Sequence, residues 1–196
     1  SNPDQTVMFF YEIPYAEDMV CTGRSVQVYP DTASGTVSGK ASYRFRNTSG
    51  REQMAAFGVN PGYTISSVQA DGVDVPFSVS DYQEYNEAKL EVAIPAGEQV
   101  ELTIEYGGFP RESRSMATMQ GGDEVSEEYL CLENAELAPR LMNVLPGENG
   151  YPASVEITLP ASMTVISFGT GEAERVKENE DGTITLRYET NGTGGI

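Results

Sequence analysis

The sequence predicts an all-β protein: an antiparallel sandwich or saddle of roughly nine to eleven strands with little helix. Three observations predict it. Apolar and polar residues alternate with period two in one stretch after another, the pattern of strands with one buried and one wet face. Turn chemistry such as Asn-Pro-Gly, Asp-Gly and Pro-Ala-Gly separates those stretches. Apolar residues at helical spacing are almost absent, and 20 Gly and 11 Pro punctuate the chain.

The first clear strand runs from Val37, where Val37, Ala41, Tyr43 and Phe45 alternate with Ser38, Lys40, Ser42, Arg44 and Arg46. Asn47-Thr48-Ser49-Gly50 then reads as a turn. Ala55 to Val59 is a short apolar run closed by Asn60-Pro61-Gly62. Tyr63 to Val68 leads into Asp71-Gly72, after which Val73, Val75, Phe77 and Val79 alternate strictly. Asp-Gly between two such runs is a strong hairpin signal. Leu90, Val92 and Ile94 form the next strand, Pro95-Ala96-Gly97 the next turn, and Val100, Leu102, Ile104 and Tyr106 the strand after it. Val155, Ile157 and Leu159, then Val165 to Phe168, then Ile184, Leu186 and Tyr188 complete the series. Only Asn134 to Val144 offers a turn or two of helix, which Pro139 limits. Gly107 to Tyr129 breaks the alternation and reads as a long loop. The organisation expected is one domain over residues 1–196, with 1–24 as an extension or edge strand. At 196 residues such a chain buries roughly 70% of its unfolded surface.

Composition removes whole classes of chemistry. With no His there is no Ser-His-Asp triad, no Cys-His dyad and no His-ligated zinc. Two Cys cannot build a four-thiolate metal site. A net charge of −18, from 12 Lys+Arg against 30 Asp+Glu, repels a phosphate backbone, so no nucleic-acid partner is expected. No apolar run approaches the length of a membrane span, and no signal peptide is recognisable. We expect the chain to be an excised, extracytoplasmic piece of a longer bacterial protein, at the cell surface or outside it.

Several constellations have a functional and a structural reading. Asp123, Glu124, Glu127 and Glu128 are candidate Ca²⁺ ligands, but they lack the alternating order that wraps one ion and read better as a solvated loop. Glu178-Asn179-Glu180-Asp181-Gly182 resembles a calcium loop, yet lies between two strands and fits a hairpin turn better. Tyr82 and Tyr85 are candidates for stacking on a sugar ring, although loop-capping Tyr is commoner. Asn47-Thr48-Ser49 and Asn191-Gly192-Thr193 match the N-glycosylation pattern. Carboxylate pairs for glycoside hydrolysis are defined by their separation in space, so the sequence selects none. Cys21 and Cys131 are open to two readings, one disulfide or two buried apolar side chains.

Taken in order, the strand phrases resemble a known family. These are Tyr43-Arg44-Phe45-Arg46-Asn47-Thr48, Ile65 to Gly72, Leu90 to Glu98 followed by Val100 to Gly108, and Tyr151 to Pro160 followed by Val165 to Gly169. Together they resemble the N-terminal saddle-shaped β domain of the aminopeptidase N-like gluzincin peptidases, over roughly Ser25 to Ile196. The resemblance implies that the zinc chemistry belongs to a following domain absent from this chain. It also implies a substrate-binding segment over Leu132 to Arg140, with candidates Glu133, Glu136 and Arg140. Ala135 stands where the family has a second amine-binding residue. The expected function is a non-catalytic extracytoplasmic domain of a larger aminopeptidase-like or permease-fused membrane protein, lining a substrate cleft, with no cofactor of its own. Its partners would be a following catalytic-like or transmembrane domain and a peptide ligand. The alternative is a stand-alone extracellular module binding peptide or glycan through loops such as 107–128 or 82–85.

Overall fold

The computed structural model describes residues 13–81, 87–111, 124–125, 130–131, 138–148, 150–162 and 174–192. Fifteen strands lie among them, and none of these residues is helical. They are β1 (Met19–Asp31), β2 (Thr36–Asn47), β3 (Gln53–Val59), β4 (Tyr63–Ala70), β5 (Val73–Asp74), β6 (Phe77–Asp81), β7 (Ala88–Ile94) and β8 (Gly97–Gly108). They continue with β9 (Glu124–Val125), β10 (Leu130–Cys131), β11 (Arg140–Leu141), β12 (Leu145–Pro146), β13 (Tyr151–Pro160), β14 (Glu174–Glu178) and β15 (Thr183–Gly192). Ten have five residues or more, within the expected range.

Two sheets make the body. The larger runs β14-β15-β13-β1-β2-β8-β4-β5, with β12 also on β1; the smaller runs β11-β3-β7-β6. β9 and β10 pair separately. Pairing is antiparallel except along one edge of β1, where β12 and β13 both run parallel to it. β2 already occupies the other edge of β1. A chain returning from the smaller sheet therefore finds only the β12/β13 side vacant. Met19–Arg24, read from sequence as an extension or edge, is thus the start of an interior strand.

Period two decides which side chains go inside. Along β2, Val37, Ala41, Tyr43 and Phe45 are all at most 1% exposed. Their neighbours Lys40, Arg44 and Arg46 face water. The inner face of the larger sheet packs on Phe57, Leu90, Val92 and Ile94 of the smaller one in a single core. Tyr43 and Phe57 join the two layers, their ring centroids 5.0 Å apart.

Four expectations are corrected. The alternating run Val73 to Val79 is not one strand: only Val73–Asp74 returns along β4, and the chain then crosses to the smaller sheet as β6. Pro76 lies at the break, where a missing N–H cannot continue a ladder. Gly107 and Gly108 are the end of β8 rather than loop. Arg140–Leu141 is a strand on β3 rather than helix, since the residues after Pro139 find an edge to pair with. Asn47 cannot accept a glycan: it is 1% exposed and its amide donates to the carbonyls of Arg51, Ile94 and Pro95 at 2.9, 3.2 and 3.2 Å. Asn191-Gly192-Thr193 has no side chain among the described residues.

Two predicted turns hold. Asp71 and Gly72 both have positive φ (49° and 80°), the geometry of a tight hairpin turn. Asp181-Gly182 joins β14 to β15, and the Asp181 carboxylate accepts from the Thr183 N–H and hydroxyl at 3.1 and 2.6 Å. Those bonds hold the Asp181 carboxyl below its usual range. It is therefore engaged in its own turn.

Candidate functional site

Arg140 is the one predicted site residue whose side chain is described. β11 pairs Arg140 with Gly58 of β3, and β7 pairs Lys89 with the same Gly58. Paired residues share a face of a sheet, so Arg140, Gly58, Lys89 and, two residues along, Glu91 lie on the outer face of the smaller sheet. Glu87, just before β7, folds over Gly58 and meets the guanidinium: Nη2 donates to Oε2 at 2.6 Å and Nε to Oε1 at 3.3 Å. The Glu87 side chain is 11% exposed. Glycine at position 58 makes this approach possible, because a Cβ there would collide with the Glu87 carboxylate. Lys89 and Glu91 form a second ion pair at 2.8 Å beside it.

Arg140 is thereby held by a carboxylate from the residue that precedes β7, in the two-pronged geometry that guanidinium favours. The chain around it is tied down further. The carbonyl of Pro139 accepts the hydroxyl of buried Tyr43. Met142 N–H donates to the Ala56 carbonyl at 2.9 Å, and Asn143 bonds Met54 and Ala56. The described part of the predicted substrate-binding segment is thus tied to Tyr43 through Pro139 and to Glu87 through Arg140. Glu133 and Glu136 lie outside the described residues, as do Asp123, Glu127, Glu128, Tyr82 and Tyr85; of Glu124 only the backbone is described, in β9. Sequence reasoning missed Glu87 and the role of Asn143. Only the pairing of distant strands brings them to Arg140 and β3.

A concavity of about 260 Å³ crosses the outer face of the larger sheet. Ser25, Ser42 and Ser154 are paired neighbours that form its floor. Two ion pairs stand at its rims, Arg44–Glu101 at 4.0 Å and Arg187–Glu189 at 2.6 Å. A serine nucleophile needs an adjacent base. Here the charged groups are paired with one another, so the groove is a polar surface without a reactive dyad.

The inner face of the larger sheet carries a cluster of phenols around Arg24 and Cys21. The Arg24 guanidinium lies 5.8 Å from the Tyr43 ring centroid. Cys21 is a free, buried thiol that donates to the Gly23 carbonyl at 3.5 Å. Burial pushes its thiol up, against that bond. The Tyr151 hydroxyl is raised to about 12, chiefly by burial and next by Cys21. Such groups are held neutral and inert. Cys131 contributes only backbone, in β10.

The family resemblance implies zinc, and the residues present do not fit it. The chain has no His, and no three His, Cys, Asp or Glu side chains converge among the described residues.

No family model and no curated protein matches the sequence. Solved structures do match the fold. The M1 zinc metallopeptidase of Deinococcus radiodurans superposes with a TM-score of 0.57 at 18% identity, over 88% of this chain and 39% of that one. A form of it bound to a Tyr-Ser-Ala substrate gives 0.58 at 17% identity, over 91% and 40%. Leukotriene A4 hydrolase of Saccharomyces cerevisiae gives 0.52 at 12% identity, over 91% and 28%. The chain thus spans at most about two fifths of the length of these structures. The resemblance drawn from the strand phrases holds at the level of fold: nearly the whole chain adopts the β architecture found in part of the M1 zinc metallopeptidases.

Proposed function

We propose that this chain is the non-catalytic, N-terminal β domain of a larger aminopeptidase-like protein. One observation carries the reading: the match takes in 91% of this chain and only 40% of the metallopeptidase. A chain matched along nearly its whole length to a minority of its counterpart fits one domain of that architecture. In this reading zinc and its ligands belong to a following domain. This chain packs against that domain and lines its cleft, with the Arg140 segment facing substrate and Glu133 and Glu136 as candidate contacts to a peptide's amine. The Arg140–Glu87 pair fits this role as a positioning device. We further propose an extracytoplasmic location, with the parent anchored in or exported across a membrane.

The coding sequence beyond Ile196 tests the proposal. A His-Glu-x-x-His segment within the next domain length, roughly 150 residues, supports it. A stop codon would sink it and favour the stand-alone binding module. Purified as it is, the chain should hydrolyse no aminoacyl amide, with or without added zinc; turnover in either condition would contradict the proposal.

A further inference from the structure

We propose that the open edge of β6 is a strand-addition site for an extended, basic peptide with apolar residues at alternate positions. β6 ends the smaller sheet, and no described strand pairs with its outer edge. All five of its residues are exposed, including Phe77 at 42% and Val79 at 49%.

The register identifies the unused backbone groups. Phe77 pairs with Val92, Ser78 with Glu91, Val79 with Leu90 and Ser80 with Lys89. The Ala93 N–H donates to the Pro76 carbonyl at 3.2 Å, one step further along the same register. In an antiparallel ladder, hydrogen-bonded pairs alternate with pairs that are not. Pro76/Ala93, Ser78/Glu91 and Ser80/Lys89 are therefore the bonded pairs. The N–H and C=O groups of Phe77, Val79 and Asp81 point away from β7, towards the open edge.

The side chains agree with the backbone. Phe77 and Val79 sit opposite Val92 and Leu90, both 0% exposed, and so continue the core face beyond the last strand. A strand added here would satisfy the outward groups and cover both side chains. Edges are usually guarded by Lys, Pro or a bulge. Ser78-Val79-Ser80 has no Lys or Pro, and its pairing with β7 shows no register shift. Charge selects among occupants. At −18, this chain repels a second copy of itself and any acidic strand, and attracts a basic one. The inference is independent of the metallopeptidase reading, since it rests on the edge alone.

Isotope-labelled 196-residue chain titrated with Lys-Val-Lys-Val-Lys-Val-Lys tests it, with Glu-Val-Glu-Val-Glu-Val-Glu as control. Amide exchange at Phe77, Val79 and Asp81 should slow about ten-fold or more at saturation, with binding at least about ten-fold tighter for the basic peptide. Val79→Pro removes an outward donor while keeping the Ser78 and Ser80 bonds to β7, and should abolish the protection. Phe77→Ser with Val79→Ser, which leaves the backbone intact, should weaken it. Unchanged exchange at these amides would overturn the proposal. So would equal binding of the two peptides, undiminished binding to the variants, or edge protection that appears without peptide as the chain self-associates.

Discussion

Asn143 takes the place of a strand residue beside Ala56. Its Oδ1 accepts the Ala56 N–H at 2.8 Å and its Nδ2 donates to the Met54 carbonyl at 2.9 Å, so a side-chain amide copies the pairing of a peptide group. The same side chain reaches the Pro14 carbonyl at 3.4 Å, and its backbone carbonyl accepts from Ala16. One residue joins three parts of the chain. Asn47 and Asn60, also buried, bond to backbone in the same manner where strands end.

Asn143→Leu should therefore be costly. It strands the Ala56 N–H, which is buried, and a loss of about 3 kcal/mol is expected. Urea denaturation followed by far-ultraviolet dichroism measures it. A change under about 0.5 kcal/mol would show that water replaces the amide.

Tyr43→Phe should cost about 1–2 kcal/mol. The ring and its contact with Phe57 remain, but the Pro139 carbonyl loses its donor. Amide exchange of residues 140–142 should rise in parallel, because the hydroxyl ties that segment to the core.

Alkaline pH should destabilise the fold. Burial raises the hydroxyls of Tyr43, Tyr106 and Tyr151 and the Cys21 thiol in the folded state. Between the ordinary phenol value and about 12, unfolded chains have lost the Tyr151 proton and folded ones keep it. Stability is thus full below that window and falls as pH rises through it. Urea midpoints from pH 8 to 12 should decline, and less steeply for Tyr151→Phe; identical slopes would assign the decline elsewhere.

Gly72→Ala should cost about 1–2 kcal/mol. Nothing lies within 4 Å of an added Cβ, so the whole cost is the positive φ of 80°. Thermal denaturation of this variant against a surface Gly-free control reads the backbone strain directly.

The Arg140–Glu87 pair should show a coupling of about 1 kcal/mol in a double-mutant cycle with Arg140→Ala and Glu87→Gln, shrinking in high salt. The Arg140 side chain is 38% exposed, which keeps the value modest. A coupling of zero would mean that Arg140 is free to serve another carboxylate.

Alternation announced β2, β8, β13 and β15, because a strand with one dry face writes its orientation into every second residue. Asp71-Gly72 announced its turn because few other pairs tolerate two positive φ values. What the alternation does not carry is the identity of a strand's neighbours. Val73 to Val79 reads as one strand, and only the competition between β4 and β7 for its backbone divides it at Pro76. Arg140 was named by resemblance, while its partner Glu87 and the glycine beneath them had no mark in the sequence.

By itself the sequence determined that this chain is all β, that its faces are sorted, and that it carries no histidine chemistry. Those are local or compositional properties, fixed residue by residue. Tertiary structure decided that β1 lies inside a mixed sheet, that Asn47 is a clasp rather than a glycan acceptor, and that β6 ends a sheet with Phe77 and Val79 uncovered. Each depends on which distant segment arrives alongside. Such pairing is settled by the competition of many near-equal edges for backbone hydrogen bonds and apolar cover, which no single stretch encodes.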